Sequence, residues 1–270
     1  MRALEGIEGW PVGVAAVAVV TVDGTVARRG PAERDFRWAS VTKLFSATAM
    51  LVAAEEGILE LEEAAGPPGS TVRHLLAHAS GLPFEGDQPI ARVGERRIYS
   101  NAGFDALGEL LAERAGMPFG EYLHAAVLAP LALEGTRLEG RPSEGLRGPL
   151  VDLAAFGREL SSPRLVAAET LAEATSVAFA GLAGVLPGVG RQEPNDWGLG
   201  FELRDGKRPH WTGSRNSPRT FGHFGGAGTF LWVDPEAEVA LVCLTDRDFG
   251  DWALEAWPAL SDAVLAELVP

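Results

Sequence analysis

The chain has 270 residues, 46% of them hydrophobic and 22% charged, which is enough apolar material for one large domain or two closely packed ones and excludes a disordered chain. Its net charge of −14 repels phosphate backbones and anionic bilayers, so neither nucleic acid nor a membrane is an expected partner. The one cysteine, Cys243, excludes an internal disulfide, and no paired-Cys or His-Glu-x-x-His spacing offers a metal site.

Residues 12–22 form the first apolar run. It falls short of the roughly 20 residues a membrane span needs. Glu5 and Glu8 spoil the positive flank of a secretory leader, and Asp23-Gly24 reads as a turn. The run is predicted to be a buried strand of a cytoplasmic protein, paired with 25–29 in a hairpin. A helix follows over 41–56, stopped by Gly57, and another over 102–115, with Gly116 and Pro118 just beyond it. Further helices are expected over 118–129, 151–160 and 165–175. The stretch 181–222 is rich in Gly, Pro, Arg and Asn and reads as loops at the rim of a sheet, interrupted by a strand over 197–204. Strands are also predicted over 229–234 and 237–245, the second burying Cys243. Apolar residues at 257, 260, 264 and 268 mark a last helix over 252–268.

Strands at both chain ends with helices between them predict an α+β fold. One antiparallel sheet is built from both termini, flanked by helices, with a mainly helical region inserted. Residues 1–40 and 195–270 form the sheet-containing part, residues 41–194 the helical part, and the active site lies between them.

The first candidate group is Ser40-Val41-Thr42-Lys43. A spacing of three puts Ser40 and Lys43 on one face where the helix begins, and helix-end N–H groups there favour negative charge. Lys43 is the only charged residue between Val41 and Ala54, and Lys207 is the only other lysine among 23 basic residues. A helix that is apolar all round is buried, and a lone buried ammonium either loses its proton or finds a partner. Arginine cannot supply such a base. The plainer alternative makes Ser40 an N-cap and lets Lys43 reach out to water.

Tyr99-Ser100-Asn101 forms the second group. With two tyrosines against twelve phenylalanines, a phenol at 99 stands out. It could relay a proton beside the lysine, while Asn101 donates to a substrate carbonyl. Alternatively, Ser100 or Asn101 caps the next helix and Tyr99 packs over its start. The third group, His223-Phe224-Gly225-Gly226-Ala227-Gly228, runs into a strand. Its glycines allow a ligand close to the backbone, and the N–H of Gly226 with that of Ser40 could hold an oxyanion. A Gly-rich turn with a surface histidine is the alternative.

In this order the three groups resemble the serine β-lactamase and penicillin-recognising family, whose plan is Ser-x-x-Lys, a polar middle motif and a strand motif ending in Gly. The Tyr-x-Asn middle is similar to the branch of class C β-lactamases, D-alanyl-D-alanine carboxypeptidases and family VIII carboxylesterases. Residues 72–83, with His74 and His78, and Trp197-Gly198-Leu199-Gly200-Phe201 extend the likeness, which covers about Val12 to Leu244. The resemblance implies a β-lactamase/transpeptidase-like fold without metal or cofactor. It makes Ser40 the nucleophile, Lys43 its base or proton partner, Tyr99 the group that activates Ser40 or the deacylating water, and Ser40 with Gly226 the oxyanion donors. Asn101, His223 and Gly225 become substrate-binding residues, and His74 and His78 structural ones.

His223 departs from the pattern, because β-lactamases carry lysine there as a fixed cation for the substrate carboxylate, and histidine is mostly neutral at pH 7. The chain is also short for the family and shows no export signal. The expected substrate is therefore a small ester, amide or lactam met inside the cell, with esterase or amidase chemistry foremost. A β-lactamase or D-alanyl-D-alanine carboxypeptidase is the rival, and a non-catalytic binding or sensor protein is the alternative from another class. Oligomeric state is not legible.

Overall fold

The computed structural model describes residues 1–268. After a 3-10 segment at Arg2–Gly9, the chain forms β1 (Ala15–Thr21), β2 (Gly24–Arg29) and β3 (Phe36–Arg37), then α1 (Thr42–Glu55), α2 (Val72–Leu76), α3 (Asn101–Ala115) and α4 (Phe119–Leu123). Next come β4 (Arg137–Leu138), β5 (Leu146–Gly148), α5 (Leu150–Ser161), α6 (Ala168–Ala174), β6 (Gly184–Leu186) and β7 (Gly190–Gln192). The last elements are β8 (Glu202–Leu203), β9 (Phe221–Gly225), β10 (Thr229–Asp234), β11 (Val239–Thr245) and α7 (Asp251–Leu268). None of the described helices is long and apolar enough to cross a membrane.

The α+β class expected from sequence is what forms. The main sheet has the strand order β2-β1-β11-β10-β9-β8, so strands from both ends of the chain meet at the β1–β11 pair. Every pairing in it is antiparallel. Side chains alternate across the pleat, and the two faces feed separate cores. Val17, Val19, Phe230, Trp232, Leu241 and Cys243 face α7 and the first 3-10 segment, while Ala18, Val20, Leu231, Val233, Ala240 and Val242 face the other helices. Helix α5, inside the predominantly helical stretch, lies directly on β1 and β11 and supplies part of that second layer.

Helix α1 is buried on every side from Thr42 to Ala53, as its composition demands. Helix α3 starts where Ser100 caps it, its hydroxyl accepting from the Gly103 N–H at 2.9 Å, and ends at Gly116 in the left-handed conformation. Three expectations need correction. The strand expected over 197–204 shrinks to β8, because the chain turns back on itself with Gly198 N–H donating to Phe201 O, and Gly200 has φ +87°. The loops of 181–222 contain the β6–β7 hairpin and, at their end, the start of β9. The helix expected over 118–129 is α4 followed by a π-helical turn at His124–Leu128.

Candidate active site

Ser40 sits in a 3-10 turn, Ala39–Val41, that leads into α1. Ala39 has φ +46°, a left-handed conformation that non-glycine residues avoid unless their surroundings impose it. The surroundings do so through Trp38. Its indole N–H donates to Gly148 O at 3.0 Å, its carbonyl accepts from Thr229 Oγ1 at 2.9 Å, and its main-chain N–H donates to Leu146 O. Gly225 packs against the same carbonyl so closely that a Cβ there would lie 2.4 Å from it. The glycine thus lets β9 press against the nucleophile's turn and brings Gly226 to the same cavity as Ser40.

Lys43 lies one turn further on and is fully buried. Its Nζ is 2.6 Å from Asn101 Oδ1, 2.9 Å from the Ser143 carbonyl and 3.3 Å from Ser40 Oγ, and it stands 4.8 Å above the Tyr99 ring. An ammonium donates to all three oxygens. A neutral amine has two N–H groups, which the amide and carbonyl oxygens take, and its lone pair is left facing Ser40. Burial brings the Lys43 pKa down to about 7, against the opposing pull of Glu144, Asp105 and Glu85. The amine is therefore a usable base near neutral pH. Capping by Ser40 is not observed, and Lys43 does not reach water.

Asn101 is the first residue of α3. Its oxygen accepts from Lys43 and its Nδ2 donates to Glu85 Oε1 at 3.0 Å. The amide oxygen is thereby turned to the lysine. Glu85 in turn is clamped by both terminal nitrogens of Arg141 at 2.8 and 2.9 Å, which with Asn101 hold its carboxyl at about 2. Arg141 also binds Asp105 and Glu144. Glu85, Arg141 and the Ser143 carbonyl escape the sequence reading. A carbonyl oxygen carries no side-chain signature, and the two ions lie in loops far from the lysine in sequence.

Tyr99, Trp197, His78 and His223 form one aromatic cluster beside the lysine, with centroid separations from 4.7 to 5.9 Å. The Tyr99 hydroxyl is buried beside Ser40 and makes no hydrogen bond of normal geometry. Burial drives its pKa well above the usual phenol value, with Ser40 opposing the shift. The phenol stays protonated and can act as an acid. His78 accepts from the Ser100 N–H at 3.2 Å, as a structural histidine does. His74 is half-buried against Thr71. His223 is 3% exposed, so it is no surface residue. Burial and the nearby Lys43 push its pKa down to about 3, the bond to Phe224 only partly opposing them.

Ser40, Tyr99, Trp197, His223 and Gly226 line a cavity of about 170 Å³ together with Phe84, Leu186, Pro187 and Phe249. The wall includes no lysine or arginine. Its one carboxylate, Glu202, is fully engaged by Lys207, His210 and Trp211. Phe84, Tyr99 and Pro187 also border an outer groove of about 630 Å³. The apolar walls come from segments that turn only in tertiary structure, which is why the sequence did not disclose them.

A family model described as Beta-lactamase matches residues 12–265. The crystal structure of a beta-lactamase from Mycobacterium bovis is 56% identical, covers 99% of this chain and 100% of its own, and superposes with a TM-score of 0.98. Two more distant structures share the fold. One is simvastatin synthase from Aspergillus terreus, 15% identical over 98% of this chain and 93% of that one, with a TM-score of 0.79. The other is EstCE1, a hydrolase with promiscuous acyltransferase activity, 17% identical over 97% of this chain and 96% of that one, with a TM-score of 0.80. Penicillin-binding protein 4* of Bacillus subtilis is 27% identical over 39% of this chain, and the match spans only 31% of that protein.

Proposed function

We propose, from the premise that the chain belongs to the beta-lactamase family, that it is a serine hydrolase cleaving small esters or amides through an acyl-enzyme on Ser40. The observation that carries this reading is the buried Lys43 amine, with two fixed acceptors and its third direction aimed at Ser40 Oγ 3.3 Å away. Neutral Lys43 takes the serine proton as Oγ attacks the carbonyl carbon. The oxyanion rests on the N–H groups of Ser40 and Gly226. The tetrahedral adduct expels the alcohol or amine, which receives its proton from the Lys43 ammonium through the neutral Tyr99 phenol. Water then attacks the acyl ester, Ser40 regains its proton and the acid departs.

The cavity supports a small acyl group. At about 170 Å³ it resembles in size the ~150 Å³ apolar cavity that accepts benzene. The outer groove, which shares three wall residues with it, suits a bulkier leaving group. Ser40→Ala is expected to lower kcat/KM for p-nitrophenyl butyrate at least about a thousandfold, and Lys43→Ala about a hundredfold or more. Full activity in the Ser40 variant overturns the assignment. Hydrolysis of a lactam amide is a second reading, favoured by the 56% identical structure that bears the name beta-lactamase. Turnover of nitrocefin well above that of the butyrate ester would decide for it.

A further inference from the structure

Arg141 lies outside the cavity wall, in the turn between β4 and β5, with its side chain 43% exposed. A single exposed ion pair holds little in place. This guanidinium, however, makes four hydrogen bonds to three carboxylates. Nη1 donates to Glu85 Oε2 at 2.8 Å and Asp105 Oδ2 at 3.0 Å, and Nη2 donates to Glu85 Oε1 at 2.9 Å and Glu144 Oε1 at 2.8 Å. The rigid fork fixes these carboxylates relative to one another. Two of them reach on toward the nucleophile. Glu85 Oε1 also accepts from Asn101 Nδ2 at 3.0 Å, and Asp105 Oδ1 accepts from the Ser143 N–H at 3.3 Å. Asn101 and Ser143 are the residues whose oxygens receive Lys43 Nζ. The contacts close a loop, with Arg141 at one end and the amine at the other.

We propose that Arg141 is a positioning residue: through Glu85 and Asp105 it fixes the two oxygens that take the Lys43 N–H groups, and so keeps the amine's lone pair on Ser40. The proposal rests on the reading of Lys43 as the base for Ser40. A carboxylate only accepts, so Glu85 obliges Asn101 to turn its NH₂ outward and its oxygen to the lysine. The opposite orientation would aim an N–H at the amine. A neutral amine has one lone pair, and that donor would occupy the pair Ser40 needs. Position and charge act here together, because Glu85, Asp105 and Glu144 favour the ammonium and Arg141 opposes them. On the cavity side, burial keeps Tyr99, His78 and His223 uncharged. The turn has one tie of its own, the Ser46 hydroxyl donating to Pro142 O at 2.6 Å.

The test is the pH dependence of kcat and KM for p-nitrophenyl butyrate in three variants. Arg141 touches neither the cavity nor the reacting atoms, so its loss falls on kcat. Arg141→Met is expected to lower the plateau kcat about tenfold or more with KM within about twofold, and to move the limb to higher pH, since the three carboxylates then favour the ammonium unopposed. Arg141→Lys keeps the charge and loses the fork. It should return the limb to about pH 7 and leave kcat below that of the wild type. Glu85→Gln removes a carboxylate and frees the amide, so the limb should move to lower pH while the plateau kcat still falls. Wild-type plateau kcat in any of the three overturns the proposal, and the tie between Ser46 and Pro142 then suffices to hold the turn. A raised KM with an unmoved limb in Arg141→Met marks a merely structural role and overturns it too. Should Arg141→Met not fold, the lysine and glutamine variants decide alone. Undiminished turnover in Lys43→Ala instead overturns the reading of the base on which the proposal depends.

Discussion

Lys43 is a base because of where its neighbours sit, and the balance is open to measurement. Burial is the largest influence and drives the proton off, while Glu144, Asp105 and Glu85 pull it back and Arg141 partly cancels them. With the pKa at about 7, the amine is neutral above that pH and charged below it. Activity therefore rises with pH: kcat/KM should climb about tenfold per unit below pH 7 and level off above it, a single limb set by the free enzyme. Glu144→Gln removes the carboxylate that most favours the ammonium, so the limb should move to lower pH. A profile flat from pH 5.5 to 8.5, or a limb that Glu144→Gln moves upward, contradicts the assignment of Lys43 as the base. Tyr99 does not supply this limb, since burial holds the phenol protonated throughout the range.

At the level of elements, the site depends on β9 lying hard against the Trp38–Ala39 segment. A methyl group at position 225 would meet Trp38 O at 2.4 Å and Thr229 Oγ1 at 2.5 Å, and both are already hydrogen-bonded to one another. Gly225→Ala should therefore push the strand from the nucleophile's turn. A loss of roughly 1–3 kcal/mol in stability is expected by urea unfolding, with a larger proportional loss in kcat than in KM for the butyrate ester. Wild-type kcat in this variant would mean that the strand does not set the oxyanion geometry. The elements that were legible in the sequence are those with local signals. Helix α1 has its apolar run and Gly57, α3 has Ser100 and Gly116, and β10 has its apolar strand ended by Asp234. Ser40, Lys43 and Tyr99 were legible for the same reason, as unusual residue types at helix starts. What was not legible depends on distant partners. The β6–β7 hairpin has weak patterning, and Gly200 makes a turn where the residue types read as a strand. Asn101 faces the lysine because Glu85, from another loop, holds its other end.

Across the whole molecule, the sheet separates two cores, and polar groups are buried where the helical layer meets the sheet's β8–β9 edge. His78, His210 and His223 are all buried there with pKa values pushed down, by burial first in each case. For His223 the native value is about 3 against 6.5 for the free side chain. Between those limits the unfolded chain binds the proton and the native protein does not, so stability rises with pH through this window and is lost as pH falls from about 6.5 towards 3. Glu202, held at about 2 by His210 and Lys207 despite burial, adds to the loss at the acid end. Asp152 and Asp196, raised by burial, act in the opposite sense. One fully excluded ring contributes a slope of up to about 1.4 kcal/mol per pH unit. His223→Leu removes one ring and leaves the carboxylates in place, so the comparison isolates it. Urea unfolding at pH 7.0, 5.5 and 4.5 should show the variant gaining on the wild type at each step down. Parallel loss in the two proteins would mean that the imidazole takes up its proton inside the fold.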